Sequence, residues 1–219
     1  MEERFYSIDL FKFLMIIVVI AIHTNPFEHC SSIIINQIVM IIEDMANPFF
    51  FMVSGYLLAA RWGDTWYQHE LHVRKRLTVT VRLYAVWTLI SFPLTLYGYI
   101  VSGNSMVSCI FSYVKHFLFV GKLYNSGHLW YLLAMIYALL VMWVLIRNER
   151  GTRYFIITGI FLYAMCLLFI WFEQSDQVDG VFAVAGRIFY FCFNSGGIFT
   201  GMLYMSIGIW IQERGKIGM

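Results

Sequence analysis

Residues Phe5–Thr24, FYSIDLFKFLMIIVVIAIHT, limit what this chain can fold into more than any other stretch. As a helix the segment is about 30 Å long, which matches the hydrocarbon core of a bilayer. Leu10–Ile22 is nearly all apolar, yet Asp9, Lys12 and His23 interrupt the segment. Ionisable groups are costly in a membrane helix and normally face protein or a wet cavity. At 100° per residue, Lys12 and His23 fall within about 20° of each other, roughly 16 Å apart along the axis. Asp9 lies about 60° from Lys12. The three therefore share one face. Two readings stay open: interfacial anchoring at the two ends of the helix, or the lining of a polar path.

Composition sets the class. The chain has 219 residues, of which 60% are hydrophobic, 19% aromatic and only 13% charged. Soluble domains carry about twice that charged fraction. The expected fold is an all-α polytopic membrane protein. A net charge of +2 is too small to point to nucleic acid. The first helix carries Asp9 and Lys12 and ends without a small-residue cleavage motif, so no cleavable signal peptide is expected. Cys30, Cys109, Cys166 and Cys192 lack metal-ligand spacing, and no metal is expected. A disulfide between Cys30 and Cys109 is conceivable, since both fall on one side in the topology below.

Along the chain, Asn25-Pro26 stops the first helix. A second crossing is expected from Ile38 to Ala60, bent near Pro48, with Ile33–Gln37 as an interfacial lead-in. Arg61–Arg82 is the most polar stretch and reads as a connection. The third helix is expected at Leu83–Val101, bent at Pro93. Ile110–Val120 is amphipathic and reads as interfacial. Helices at Leu129–Ile146 and Tyr154–Phe172 follow. In the long apolar region Val181–Ile211, the last crossing is placed at Gly196–Ile211, with Val181–Phe193 a lead-in or re-entrant piece. Gly197 and Gly201 form a small-xxx-small pair, which means close helix packing rather than chemistry.

The count is about six crossings, with the N-terminus and C-terminus both cytoplasmic. Of fifteen Lys and Arg, only Lys115, Lys122 and Arg187 then face outside, which leaves twelve inside. This is the positive-inside pattern.

Polar groups gather at both ends. The outer group is His23, Glu43, Asp44 and His128. A carboxylate beside a histidine makes a base with its orienting group; solvated rim residues are the equal alternative. The inner group is Arg74, Lys75 and Arg76, with Arg82, Arg61 and Lys12 nearby. It suits a phosphate-bearing ligand from the cytosol, although on composition alone topology control and contact with anionic lipid are the favoured explanation of such charge. A basic inner mouth with a histidine at the far end fits a group-transfer enzyme or a transporter, and spacing does not separate them.

The run Ile8-Asp9-Leu10-Phe11-Lys12, continued through Ile16–Val19 to His23, resembles the opening of the acyltransferase-3 family. Asn47–Leu58, NPFFFMVSGYLL, is similar to the family's second signature, with Ser54 and Tyr56 in its closing Ser-Gly-Tyr. Lys75-Arg76 with Tyr84 and Trp87 is similar to its basic third-helix segment, and Val79 stands where a second arginine is usual. His128-Leu129-Trp130-Tyr131-Leu132 resembles the start of a later helix, and Asn194–Gly208 loosely resembles a C-terminal one.

The resemblance implies a multi-pass enzyme of the plasma membrane that O-acylates a glycan or other cell-envelope acceptor. Acyl-CoA, such as acetyl-CoA, is the implied donor substrate, with no permanently bound cofactor. It implies His23 as the catalytic residue, and the outer polar group read above offers Glu43 and Asp44 as its candidate partners. By match it links Lys12 and Arg76 to donor binding or site integrity; the basic group adds Arg74, Lys75 and Arg82 as donor-binding candidates, and Asp9, Ser54, Tyr56 and His128 are the further polar site positions. Family members continue through several more helices, so the chain is expected to be C-terminally truncated relative to them, and an inactive fragment is one alternative. The membrane domains of vancomycin-resistance serine racemases also resemble this sequence, which makes a serine-uptake module the other.

Overall fold

The computed structural model describes residues 6–24, 33–103, 105–122, 127–175, 180–193 and 197–217. Eight helices occur among them: α1 (Tyr6–Thr24), α2 (Ile33–Ala60), α3 (Trp66–Val101), α4 (Met106–Lys115), α5 (Trp130–Arg147), α6 (Thr152–Gln174), α7 (Val181–Phe193) and α8 (Thr200–Ile217). A π-helical turn, His116–Val120, continues α4, and single 3₁₀ turns precede α5 and α8. No strand occurs among the described residues. The all-α expectation holds.

Among the described residues, five helices are long and apolar enough to cross a membrane: α1, α2 from Asn36, α3, α5 and α6. The expected sixth, α8, starts at Thr200 and carries Gln212, Glu213, Arg214 and Lys216 in its last turns, which shortens its apolar length. Apolar side chains also cover the outer surface. Leu89 is 73% exposed and Ile100 70% on α3. That pattern suits a lipid surround, which is as apolar as the protein interior.

The polar stretch expected to be a connection is mostly helix, and α3 begins at Trp66 rather than Leu83. The cause is local. The Thr65 hydroxyl accepts from the Gln68 amide at 3.3 Å, and the Gln68 side chain accepts from the Thr65 amide at 3.4 Å. This capping box satisfies two donors at the start of the helix. Arg, Lys and Gln are good helix formers and 66–82 holds no Gly or Pro, so only the β-branched run Thr78–Val81 opposes propagation, and weakly. The 36 residues of α3 make a rod of about 54 Å, well beyond one hydrocarbon thickness. Pro48 and Pro93 both sit inside continuous helices, and α2 runs unbroken through the piece expected as its lead-in.

Two long helices each have a return partner in two pieces. Along α3, Trp143 of α5 meets Glu70 and Met135 meets Thr80. Further along, α4 and the π-turn take over. The Tyr99 hydroxyl donates to Ser112, and the Tyr84 hydroxyl donates to the Phe117 carbonyl at 2.7 Å. Along α6, Gly159 faces Leu203 of α8, while Phe169 stacks on Phe189 of α7 at 4.9 Å. The piece expected to be a lead-in or re-entrant, Val181–Phe193, thus packs along the far half of α6.

α2 and α8 lie side by side in the same direction. Phe51 meets Gly201, and Ala59 accepts from Lys216 at 3.4 Å. A side chain at Gly55 or Gly208 would strike the backbone of the opposite helix. Missing Cβ atoms allow this closeness. The expected small pair takes part only through Gly201, which faces Ala134 and Phe51, while Gly197 packs on the Trp130 ring. The core fills where α2, α5 and α8 converge, with Phe51, Leu139, Met142 and Met205 fully buried. α1 lies against α2 and buries no residue, so the helix that constrains the class stands at the edge of the packing.

Candidate functional site: a basic cavity between α1, α2, α3 and α5

A cavity of about 820 Å³ opens among these four helices. Its wall is built by helical spacing. Phe50, Ser54 and Leu57 recur at steps of four and three on α2, with Arg61 just past its end, and His72, then Lys75 or Arg76, Val79 and Leu83 do so on α3. α1 contributes Lys12, and α5 contributes Tyr131, Leu132 and Met135. The neighbouring stripe of α3, about 100° round the helix and running from Val73 through Thr80 to Tyr84, is buried, with Thr80 also reaching the cavity wall. Thr80 is satisfied by donating to the Arg76 carbonyl at 2.9 Å, so packing against α5 leaves no unmet hydroxyl there.

One side of the cavity is cationic. Lys12, Arg61, Lys75 and Arg76 all reach it, together with His72. No carboxylate lines the wall among the described residues. Asp9 pairs with Lys12 at 3.3 Å from one turn back on α1 and offsets that charge. The other side is apolar, with Phe50, Leu57, Leu83 and Met135. Between the two, Ser54 and Tyr131 are hydrogen-bonded across the α2–α5 gap, within electrostatic reach of Arg76. A volume of this size and lining suits a ligand with anionic groups at one end and an uncharged arm at the other. Arg61 and Arg76 supply the fork geometry that phosphate oxygens favour.

The structure therefore brings together Lys12, Ser54, Lys75 and Arg76 from the sequence-derived set. Arg74 and Arg82 are exposed on α3 and do not line the cavity. Arg74 is one residue from Lys75 and so turns about 100° away. Tyr56 is half-buried, also off the wall, and its backbone faces Gly208 of α8. In the other group, His23 and Asp44 are exposed, and His23 is not on the cavity wall. The side chains of Glu43 and His128, and the whole of Cys30, lie outside the described residues.

Arg61 entered the sequence reading only as a neighbour of the basic group, and His72 and Tyr131 were not assigned a place in the site. The signal for His72 was present. It precedes Lys75 and Arg76 by three and four residues, which puts all three on one side once 66–82 is read as helix.

Residues 5–217 match the family model described as an acyltransferase domain, the acyltransferase-3 family. The chain belongs to that family. It is 29% identical over 224 residues to an amino-acid racemase of Enterococcus faecalis, an alignment covering 97% of this chain and 29% of that protein. It is 26% identical over 214 residues to a serine/alanine racemase of Enterococcus gallinarum, covering 96% of this chain and 29% of that protein. The chain thus spans less than a third of the length of these curated relatives. No solved structure matches it.

Proposed function

We propose that this chain is the donor-binding membrane domain of an O-acyltransferase. It takes an acyl group, of acetyl size, from cytosolic acyl-CoA and delivers it to a hydroxyl of an extracytoplasmic glycan or other cell-envelope acceptor. The observation that carries this reading is the cavity wall, with its Arg61, Lys75, Arg76 and Lys12 cations and no carboxylate among the described residues. Such a wall favours a polyanion and is ill-suited to a zwitterion, whose ammonium needs an anionic partner.

In this reading the chain sits in the plasma membrane with its basic end toward the cytosol, both ends inside, and α7 and α8 together forming a sixth, interrupted crossing. Phosphates bind at Lys75, Arg76 and Arg61, with Lys12 at the same mouth and Arg74 and Arg82 on the flanks. The uncharged arm of the donor runs toward His23, roughly 16 Å from Lys12 along α1. His23, oriented by Glu43 or Asp44, takes the proton of the acceptor hydroxyl as its oxygen attacks the thioester carbonyl. The C–S bond breaks, and the leaving thiolate recovers that proton.

Coenzyme A binding to the purified chain tests the reading. Replacing Lys75 and Arg76 with Gln is expected to lower affinity by about a hundredfold, from two lost charge-assisted contacts. Unchanged affinity returns the cluster to topology control. In membranes, H23A is expected to abolish acetyl transfer. Cysteines placed at Ser102 and Ser175 should label from outside the cell, and labelling from the cytosol reverses the orientation.

The names of the racemase relatives favour a second reading, a module that delivers serine. Competition separates the two. Coenzyme A protects Lys75 from amine-reactive reagents in the first case, and L-serine does so in the second.

A further inference from the structure

On one side of α3, His72, Lys75 and Arg76 stand at positions i, i+3 and i+4, and all three line the cavity. His72 is about 4.5–6 Å nearer the start of the helix than the other two. Its Nδ1 lies 2.8 Å from the Gln68 carbonyl oxygen. A carbonyl only accepts, so Nδ1 carries the hydrogen and the ring is held in one orientation by its own helix. Nε2, on the far side of the ring, is the atom left to meet a ligand, and it donates to an anionic group when the ring carries both protons. Arg61 reaches the same cavity from the end of α2. The wall therefore offers two levels, Lys75 with Arg76 and, one turn nearer the start of α3, His72, with Arg61 entering from the end of α2.

We propose that His72 and Arg61 hold a second anionic group, separate from the one at Lys75 and Arg76. The ligand of this cavity is then phosphorylated at two distinct positions, and His72 is a specificity-determining residue for the second. This rests on the donor-binding reading above and deepens it. A ligand with one compact anionic group engages one level and leaves the other hydrated.

The test uses coenzyme A and 3′-dephospho-coenzyme A as probes of the purified chain in nanodiscs. The wild type is expected to bind coenzyme A roughly tenfold more tightly than the dephospho form, the worth of one charge-assisted contact. H72Q removes that preference by weakening coenzyme A alone, and H72K restores it. Equal binding of the two probes by the wild type overturns the proposal while leaving the donor reading intact, and so does an H72Q that keeps the preference or weakens both probes alike. Binding of neither probe by the wild type sinks the donor reading itself, and this proposal with it. Because the comparison of probes on the wild type is decisive alone, a poorly folding variant does not remove the test.

Discussion

The indole N–H of Trp143 donates to the Glu70 carboxylate at 2.9 Å, joining two residues 73 positions apart. Both are partly buried, and the bond fixes the register of α5 against the first half of α3. That register puts Tyr131 and Met135 opposite Arg76 and Thr80, and so shapes the cavity. W143F is expected to cost about 1–3 kcal/mol, because it removes a bond to a charged group and leaves the carboxylate unmet. Thermal unfolding in detergent should show a midpoint several degrees lower. An unchanged midpoint would mean that apolar packing alone sets the register.

The contact between α2 and α8 depends on absent side chains. Gly55 approaches the Met205 carbonyl and Gly208 the Met52 carbonyl so closely that an added Cβ must displace backbone. G55A and G208A are each expected to destabilise by about 1–3 kcal/mol or more, since neither helix can yield without moving the core. Gly215, on the same α8, has nothing within 4 Å of its Cβ position. G215A should be neutral or slightly stabilising, because alanine is the better helix former. Equal folded yields for all three variants contradict the close-packing account.

His116 opens the π-turn outside the spanning helices. Burial first, and then the charge of neighbouring Lys115, push its pKa below histidine's ordinary 6.5, against a smaller upward pull from its bond to Ser112. The unfolded chain therefore binds the proton more readily than the folded one does. The contribution of neutral His116 is whole above pH 6.5 and is lost as pH falls through the lowered folded value. Wild type should lose more stability than H116Q between pH 7.5 and pH 5. Parallel melting curves across that range would exclude His116 as the cause.

Two tyrosines from different helices hold the same turn. Tyr84 of α3 donates to the Phe117 carbonyl at 2.7 Å, and Tyr137 of α5 donates to the Leu118 carbonyl at 2.8 Å. A π-turn leaves carbonyls poorly matched to their own helix, so side-chain donors replace the missing bonds. The double variant Y84F/Y137F should speed amide exchange across 116–122 by at least tenfold, while exchange in the core of α5 stays slow. Exchange unchanged across the turn would show that its geometry does not need the tyrosines.

Part of the cavity lining was legible residue by residue. Lys12, Ser54, Lys75 and Arg76 were picked out by charge, position and resemblance, and they meet at one cavity. The extent of α3 was misjudged because the basic stretch was read for polarity rather than for its Thr65–Gln68 cap, a signal that was there in the sequence. Tyr131 was read only as part of a resemblance. Its pairing with Ser54 crosses two helices, and no spacing within either one announces it.

What one strand of residues settles unaided is the class, the approximate helices and which end is basic, because apolar runs and charge counts are local properties that a bilayer sorts directly. What only the packed molecule decided is which helix faces look at one another. Lys12 joins the α3 cations while His23, on the same stripe of α1, stays off the cavity wall. One helix can align two side chains along its length. Whether both meet the same space depends on how far the neighbouring helices reach and where they cross it, and that is set by contacts such as Gly55 on Met205, between residues 150 positions apart.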